Sequence, residues 1–390
     1  VSAISPRPPW GLSDRLKLIG LTIMFALVIG APWVGGFFGS TTISINVDGN
    51  LTQGDVDLRA FIGCEGHGCV TTHGRQGIVC IVTNTNNAGA GSLRDCMLRE
   101  VPRIVVFNVA GIIKLDSRIR MTGRHSNVYV AFQTAPGDGV LITNGPNNFT
   151  HPIDFSAIEG FYLSPQNGNP FQEGVFRYMR LRPNHPGGDR SQHDGFGIHA
   201  GSKNIVFDHI SVTHTNDEAF GAWGRVNGGP GTLEEKSMRN ITFSNSIFGY
   251  GYRCFADHGL GPMFSGNNLP GTGNFNIDWH HNLFLHSEFR NPRMTTGTQG
   301  ANRGYNLINN IQYNNQINHN EVSQNQYGAC SAIVLDVIGS YTKCGPIGCG
   351  VGPLRLMDEA ERFGNLPCGA SVPNDFPISL HFVGSTWRNS

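Results

Sequence analysis

The chain has 390 residues, of which 14% are charged, with 28 basic and 28 acidic side chains and a net charge of zero. So even a balance excludes a protein that holds nucleic acid by electrostatics. Its 52 glycines follow no collagen period, which excludes a triple helix and fits a turn-rich β protein.

Residues 1–17 read as a polar tail with Pro6, Pro8 and Pro9, and carry Arg7, Arg15 and Lys17. Leu18 to Gly39 follow, 22 residues without a charge, enough to span a bilayer as one transmembrane helix. Trp33, Phe37 and Phe38 sit at its far end, as an interfacial anchor would. A cleaved signal peptide is the competing reading. Against it, Pro32 follows Ala31, the best small residue, and sits badly just after a cut. The basic flank predicts a cytoplasmic tail and a single-pass membrane protein whose bulk is extracytoplasmic, in a periplasm or at a cell surface. Nine cysteines suit that compartment. Cys64/Cys69 and Cys344/Cys349 are close in sequence, Cys80 and Cys96 flank a turn-rich segment, and Cys330 and Cys368 bracket the C-terminal region. The spacings point to disulfide staples rather than a metal knuckle and leave the connectivity open.

Residues 40–60 start rich in Thr, Ile and Val and become a linker. A glycine-rich entry follows at Phe61 to Cys69. Gly77 to Asn84 reads as a strand. Gly91 to Leu98 reads as a short helix capped by Ser92, which a solenoid needs to cover its open end. Arg103 to Ile113, Asn127 to Phe132 and Val175 to Leu181 read as the next strands.

One strand opening then recurs. Asn204-Ile205-Val206-Phe207 returns as Asn240-Ile241-Thr242-Phe243 and as Asn276-Ile277-Asp278-Trp279, with spacings 240 − 204 = 36 and 276 − 240 = 36. A looser copy starts at Asn306, 306 − 276 = 30 later. Repeats of this length mean stacked units. Short Ile/Val/Phe strands with Gly and Asn turns make each unit one coil of a β-solenoid, in which equivalent side chains form columns and asparagines bond from coil to coil. In the third copy Ile277, Trp279 and His281 alternate with Asp278 and His280, a period of two. Pro292 cannot donate to a ladder, so Arg290 and Arg293 lie on a loop leaving the strand. The solenoid is expected over 61–320, with 321–390 a disulfide-containing extension packed on it.

Several motifs stand in one order along roughly 60–315. They are Gly63-Cys64-Glu65-Gly66 through Thr83-Asn84 and Gly91-Ser92-Leu93-Arg94; Thr134 to Gly139; Asp208-His209 through Asp217-Glu218; and His280-His281-Asn282 with Arg290-Asn291-Pro292-Arg293. The set resembles pectate-lyase-like proteins of polysaccharide lyase family 1. The resemblance implies a right-handed parallel β-helix and β-elimination of an acidic polysaccharide, in which a base removes the proton beside the uronate carboxylate. It further implies calcium, which takes several oxygen ligands, held by Asp194, Asp217 and Glu218. Arg290 matches the family's catalytic arginine and Arg293 its substrate-binding neighbour. His258 stands where relatives carry a groove histidine. The blander readings make Asp208 and His209 structural, His280 and His281 stacked or core residues, Asp217-Glu218 a solvated turn pair and Arg290 and Arg293 ties within their loop.

Two functions compete on these residues. One is a membrane-anchored extracytoplasmic lyase. The other is a non-catalytic β-helix, a scaffold or adaptor whose partners are other subunits of a membrane-protein complex, such as a respiratory or photosynthetic assembly. A third, a carbohydrate-binding module, would need an aromatic platform such as Trp223, Tyr250 and Tyr252.

Overall fold

The 36-residue spacing is the length of one coil. In a computed structural model, Ile205 pairs with Ile241 and Ile241 with Ile277, all in parallel register. The structure describes residues 59–145, 153–155, 170–183, 194–199, 201–215, 217–223, 237–251, 259–265, 274–295, 304–315, 320–324, 333–346, 354–358 and 378–388. The expected tail, membrane segment and linker, 1–17, 18–39 and most of 40–60, lie outside these residues. Among the described residues no helix is long and apolar enough to cross a membrane.

Three parallel sheets of ten, nine and eight strands make up the described fold, and successive strands in a sheet come from successive coils. This is an all-β parallel β-helix, the expected class. Sequence runs that look like one strand are two. Arg103 to Ile113 divides into Arg103–Phe107 in the ten-stranded sheet and Gly111–Leu115 in the nine-stranded one. Val175 to Leu181 divides into Gln172–Arg177 and Arg180–Leu181 at Tyr178, which is left-handed with φ 61°. The same corner in later coils holds His209, Asn245, His281 and Asn309, with φ between 51° and 58°. A left-handed corner favours Asn or Gly, which accounts for much of the asparagine.

A second left-handed column, Asn204, Asn240 and Asn276, opens the strands. Its amides bond upward, Asn240 Nδ2 donating to Asn204 Oδ1 at 2.9 Å and Asn276 Nδ2 to Asn240 Oδ1 at 3.0 Å. The next coil is shorter than the sequence implied. Ile277 pairs with Tyr305 and Asp278 with Asn306, a spacing of 305 − 277 = 28. Gly304, not Asn306, stands over Asn276. Beyond residue 320, where an extension packed on the solenoid was expected, Ile333–Ile338 and Ile378–Val383 carry on the ten-stranded sheet. Asn320–Gln324 and Leu354–Asp358 carry on the eight-stranded one.

The core runs along the solenoid axis. Phe176, Phe207, Phe243 and Trp279 occupy one column, with ring centroids 5.3, 5.1 and 4.3 Å apart in turn. The N-terminal end is closed by the helix Leu93–Met97, whose cap Ser92 accepts from Asp95 N–H at 3.2 Å. The Cys80–Cys96 disulfide ties that helix to the strand Ile78–Val82. Arg103 is fully buried below the helix, donating to the carbonyls of Cys96 at 2.8 Å and His125 at 2.9 Å and to that of Met97. Burial pushes its guanidinium down to about 10. Cys64 pairs with Cys69, and Cys344 is also in a disulfide.

The glycine-rich entry lies across the outer face of the ten-stranded sheet. Gly68 N–H donates to Thr242 Oγ1 at 2.9 Å, and a Cβ on Gly68 would stand 2.3 Å from the Ile205 carbonyl oxygen. His67 contacts Asp278, Nδ1 to Oδ1, at 2.9 Å. This strap is why Asp278 and His280, on the face opposite Trp279, are buried as well.

Candidate active site

The three predicted acidic residues converge. Asp194 precedes the strand Phe196–His199, and Asp217 and Glu218 precede Gly221–Trp223 one coil further on; the strands pair at Gly197 and Gly221. Glu218 N–H donates to Asp194 Oδ1 at 3.1 Å, and Gly195 N–H donates to the Glu218 carbonyl at 3.1 Å. Leu260, from the next coil, donates its N–H to the Asp217 carbonyl at 3.2 Å, and the Thr215 hydroxyl donates to the same oxygen at 3.1 Å. Backbone ladder bonds thus fix where each carboxylate starts. One oxygen from each of Asp194, Asp217 and Glu218 lies within 4.8 Å of the others. All three residues are buried, so the solvated-turn reading of Asp217-Glu218 fails.

Burial pushes the Asp194 carboxyl well above the usual carboxylate range, and the charge of Asp217 pushes it further. Arg290, His199 and Arg118 pull it back. His199 and Arg118 were not among the expected site residues. His199 ends the strand that Asp194 precedes, whereas Arg118 comes from an earlier coil, and only the folded column brings its charge to Asp194. Three buried carboxylates drawn together in this way suit a hard divalent cation, with water or substrate oxygens completing the shell. The residues present therefore fit calcium.

Arg290 reaches the cluster from another coil. Its Nη1 is ion-paired with Glu218 Oε1, and the two side chains are 14% and 4% exposed. The backbone there is unusual: Arg290 is left-handed at φ 65° and the Asn291-Pro292 peptide is cis. The turn packs on Gly261, where a Cβ would lie 1.8 Å from the Arg290 carbonyl oxygen. Glycine at 261 is what lets the turn sit there. Arg293 is placed differently, 1% exposed at the start of the strand Arg293–Thr295, its N–H donating to the Pro262 carbonyl at 2.9 Å. His258 and Tyr252 lie outside the described residues, as does the Trp223 side chain. Tyr250 is exposed and stacks on His286 at 4.7 Å.

Asp208 is structural, as its sequence context allowed. It accepts from Arg177 Nε at 2.7 Å, Ser244 Oγ at 2.8 Å and Asn245 Nδ2 at 2.9 Å, and contacts His209 Nδ1 at 2.8 Å. Burial raises its carboxyl, but these bonds outweigh burial and hold it below the usual range.

The fold and site define a parallel β-helix protein with an acidic pocket faced by one arginine. Its sequence is pectate-lyase-like. It is 33% identical over 257 residues to a probable pectate lyase C of Aspergillus oryzae, covering 66% of this chain and 48% of that protein. It is 32% identical over 296 residues to a probable pectate lyase C of Aspergillus fumigatus, covering 76% and 57%. The chain spans about half the length of the curated relatives it matches. No family model matches the sequence. Among solved structures, the cedar pollen allergen Jun a 1 superposes with a TM-score of 0.48 at 14% identity, covering 83% of each chain. A pectate lyase from Bacillus sp. N165, in complex with trigalacturonate, gives 0.39 at 12% identity, covering 83% and 87%.

Proposed function

We propose that this protein cleaves an acidic polysaccharide, a polyuronate, by β-elimination, with Asp194, Asp217 and Glu218 holding calcium and Arg290 at the reacting carbon. The observation that carries the reading is the meeting of three buried carboxylates with Arg290, drawn from three coils. Calcium, when bound, supplies positive charge against the uronate carboxylate, whose charge grows as the proton leaves. Glu218 holds the Arg290 guanidinium at the acidic cluster. A free arginine keeps its proton, so a basic role for Arg290 needs the positive charge that a filled acidic site brings. Similarity to the Aspergillus probable pectate lyases supports the reaction class, and the trigalacturonate bound to the Bacillus enzyme is the substrate class to try first.

The apolar stretch 18–39 supports tethering of this domain on the extracytoplasmic side of a membrane, with Arg7, Arg15 and Lys17 on the other. Retention of the full-length protein in the membrane pellet after alkaline carbonate washing is the expected result, and release into the wash would remove the tether.

The deciding experiment is release of unsaturated product from polygalacturonate, followed by ultraviolet absorbance, with calcium and with chelator. Wild type should form product only with calcium, and Arg290→Ala should lose at least 100-fold in rate while remaining folded. Folded wild-type protein that forms no product from several polyuronates would overturn the lyase and leave the scaffold reading standing.

A further inference from the structure

A second cluster of metal-binding side chains lies on another sheet, where the strap crosses the solenoid. Glu65, from the strap, meets His280 and His281, at the end of the strand Asn274–His280, with one ligand atom from each within 4.8 Å of the others. The two imidazoles face each other, Nδ1 to Nδ1, at 3.0 Å. Two ring nitrogens bound to one cation at about 2.0–2.1 Å stand roughly 3 Å apart at a right angle and about 3.4 Å apart at the tetrahedral angle. The observed separation is therefore already a chelating bite.

The protonation pattern also fits. His280 Nε2 lies 3.1 Å from the Glu65 backbone carbonyl, which can only accept, so the proton sits on Nε2 and Nδ1 presents its lone pair. A ligand histidine held by its other nitrogen in this way has its tautomer and ring orientation set in advance. His281 Nε2 lies 3.3 Å from the Asn309 side-chain nitrogen. With the Asn309 amide turned over, its oxygen accepts from Nε2–H and frees the His281 Nδ1 lone pair. His281 and Glu65 are exposed, so a cation can enter from solvent.

We propose that Glu65, His280 and His281 form a site for zinc or a similar imidazole-preferring divalent cation, which staples the strap to the solenoid. Two imidazoles and one carboxylate select a transition metal over calcium, so this site is chemically distinct from the all-carboxylate pocket. Closure here adds a cross-link of 280 − 65 = 215 residues' separation, alongside the neighbouring His67 to Asp278 contact.

The test is a zinc titration by calorimetry, paired with thermal unfolding, on protein stripped with chelator. To keep the acidic pocket out of the reading, all proteins carry Asp194→Asn and Asp217→Asn. His281→Asn is the informative variant, because Asn245 and Asn309 fill the same left-handed corner in the flanking coils, so the fold has a precedent for it. Glu65→Gln is the second. The parent should bind one zinc and melt at a higher temperature with it, while each variant should lose at least tenfold in affinity and most of the melting shift. Calcium at equal concentration should give no shift in the parent. Equal zinc affinity in parent and variants, or no zinc binding by the parent, would overturn the site.

Discussion

Asp194 shows how far one residue's chemistry follows from its position. It was expected as a ligand because of its place in a motif, yet what makes it chemically active is burial beside Asp217, which the motif does not display. Without a cation the pocket holds like charges in a poor solvent, and Asp194 is the residue that bears the cost. Asp194→Asn removes that repulsion while its amide oxygen can still accept from Glu218 N–H. In chelator the variant should therefore be more stable than wild type by on the order of 1 kcal/mol. With calcium the order should reverse, since wild type gains from binding and the variant gains little. Thermal unfolding with and without calcium checks both signs. A variant less stable than wild type in chelator would mean that the carboxylate is needed for its hydrogen bonds and that the pocket is not strained. Arg293 carries the opposite lesson. The resemblance implied substrate binding for it beside Arg290; the turn over Pro292 carries it into a strand and buries it, which residue type alone does not foretell.

At the scale of elements, the coil was legible and its corners were not. Three copies at a 36-residue spacing fixed the strand register correctly because the repeat is carried by the column of core side chains. Where the asparagine column stops, at Gly304, the next asparagine misled the spacing by two residues, since Asn306 pairs with Asp278 instead. Strand runs split at Tyr178 and its equivalents because one left-handed residue turns the chain into the next sheet, and a tyrosine or histidine gives no sequence sign of that conformation. The same column logic predicts the effect of core changes. Trp279 replaces the phenylalanine found at 176, 207 and 243, and its indole Nε1 is buried with no hydrogen-bond acceptor among the described residues. Trp279→Phe loses packing volume but removes that desolvated donor, so the net change should stay within about 1 kcal/mol. Trp279→Ala opens a cavity under Phe243 and Phe284 and should cost roughly 3–5 kcal/mol. Chemical denaturation of both variants measures the contrast. Equal losses for Phe and Ala would show that a phenyl ring recovers none of the packing and that this layer needs the full indole.

For the described molecule, the strap ties residues near 60–73 to coils more than 100 positions later, and its histidines make that attachment depend on pH. The glycine-rich entry was visible in the sequence, but its docking face was not, because the partners that receive it, Thr242, Asp278 and His280, belong to the repeat and nothing local to them points to a segment about 200 residues earlier. His67 is raised by its hydrogen bond to Asp278, while Asp278 is lowered because that contact and others outweigh its burial. The aspartate's contribution is present above the ordinary carboxylate range, about 3.9, and fades only as pH falls through its depressed value. The histidine's is complete below about 6.5 and is lost as pH rises through its raised value. That pair alone would make the strap firmest in mild acid. His73 acts in the other direction. Buried, and with Nε2 at 2.9 Å from the Ala60 carbonyl, it is lowered to about 4, first by burial and then by Arg75. Unfolded chain takes up this proton near 6.5 and the folded chain does not until about 4, so stability falls through that interval. The His73 loss acts across the interval in which the His67 contribution is already complete, so it should dominate between pH 6.5 and 4. His73→Gln can keep the bond to Ala60 without titrating. Its drop in unfolding free energy between pH 7 and pH 4.5 should be smaller than that of wild type, and hydrogen exchange should locate the difference in residues 59–73. Equal drops for the two proteins would assign the acid sensitivity to groups outside the strap.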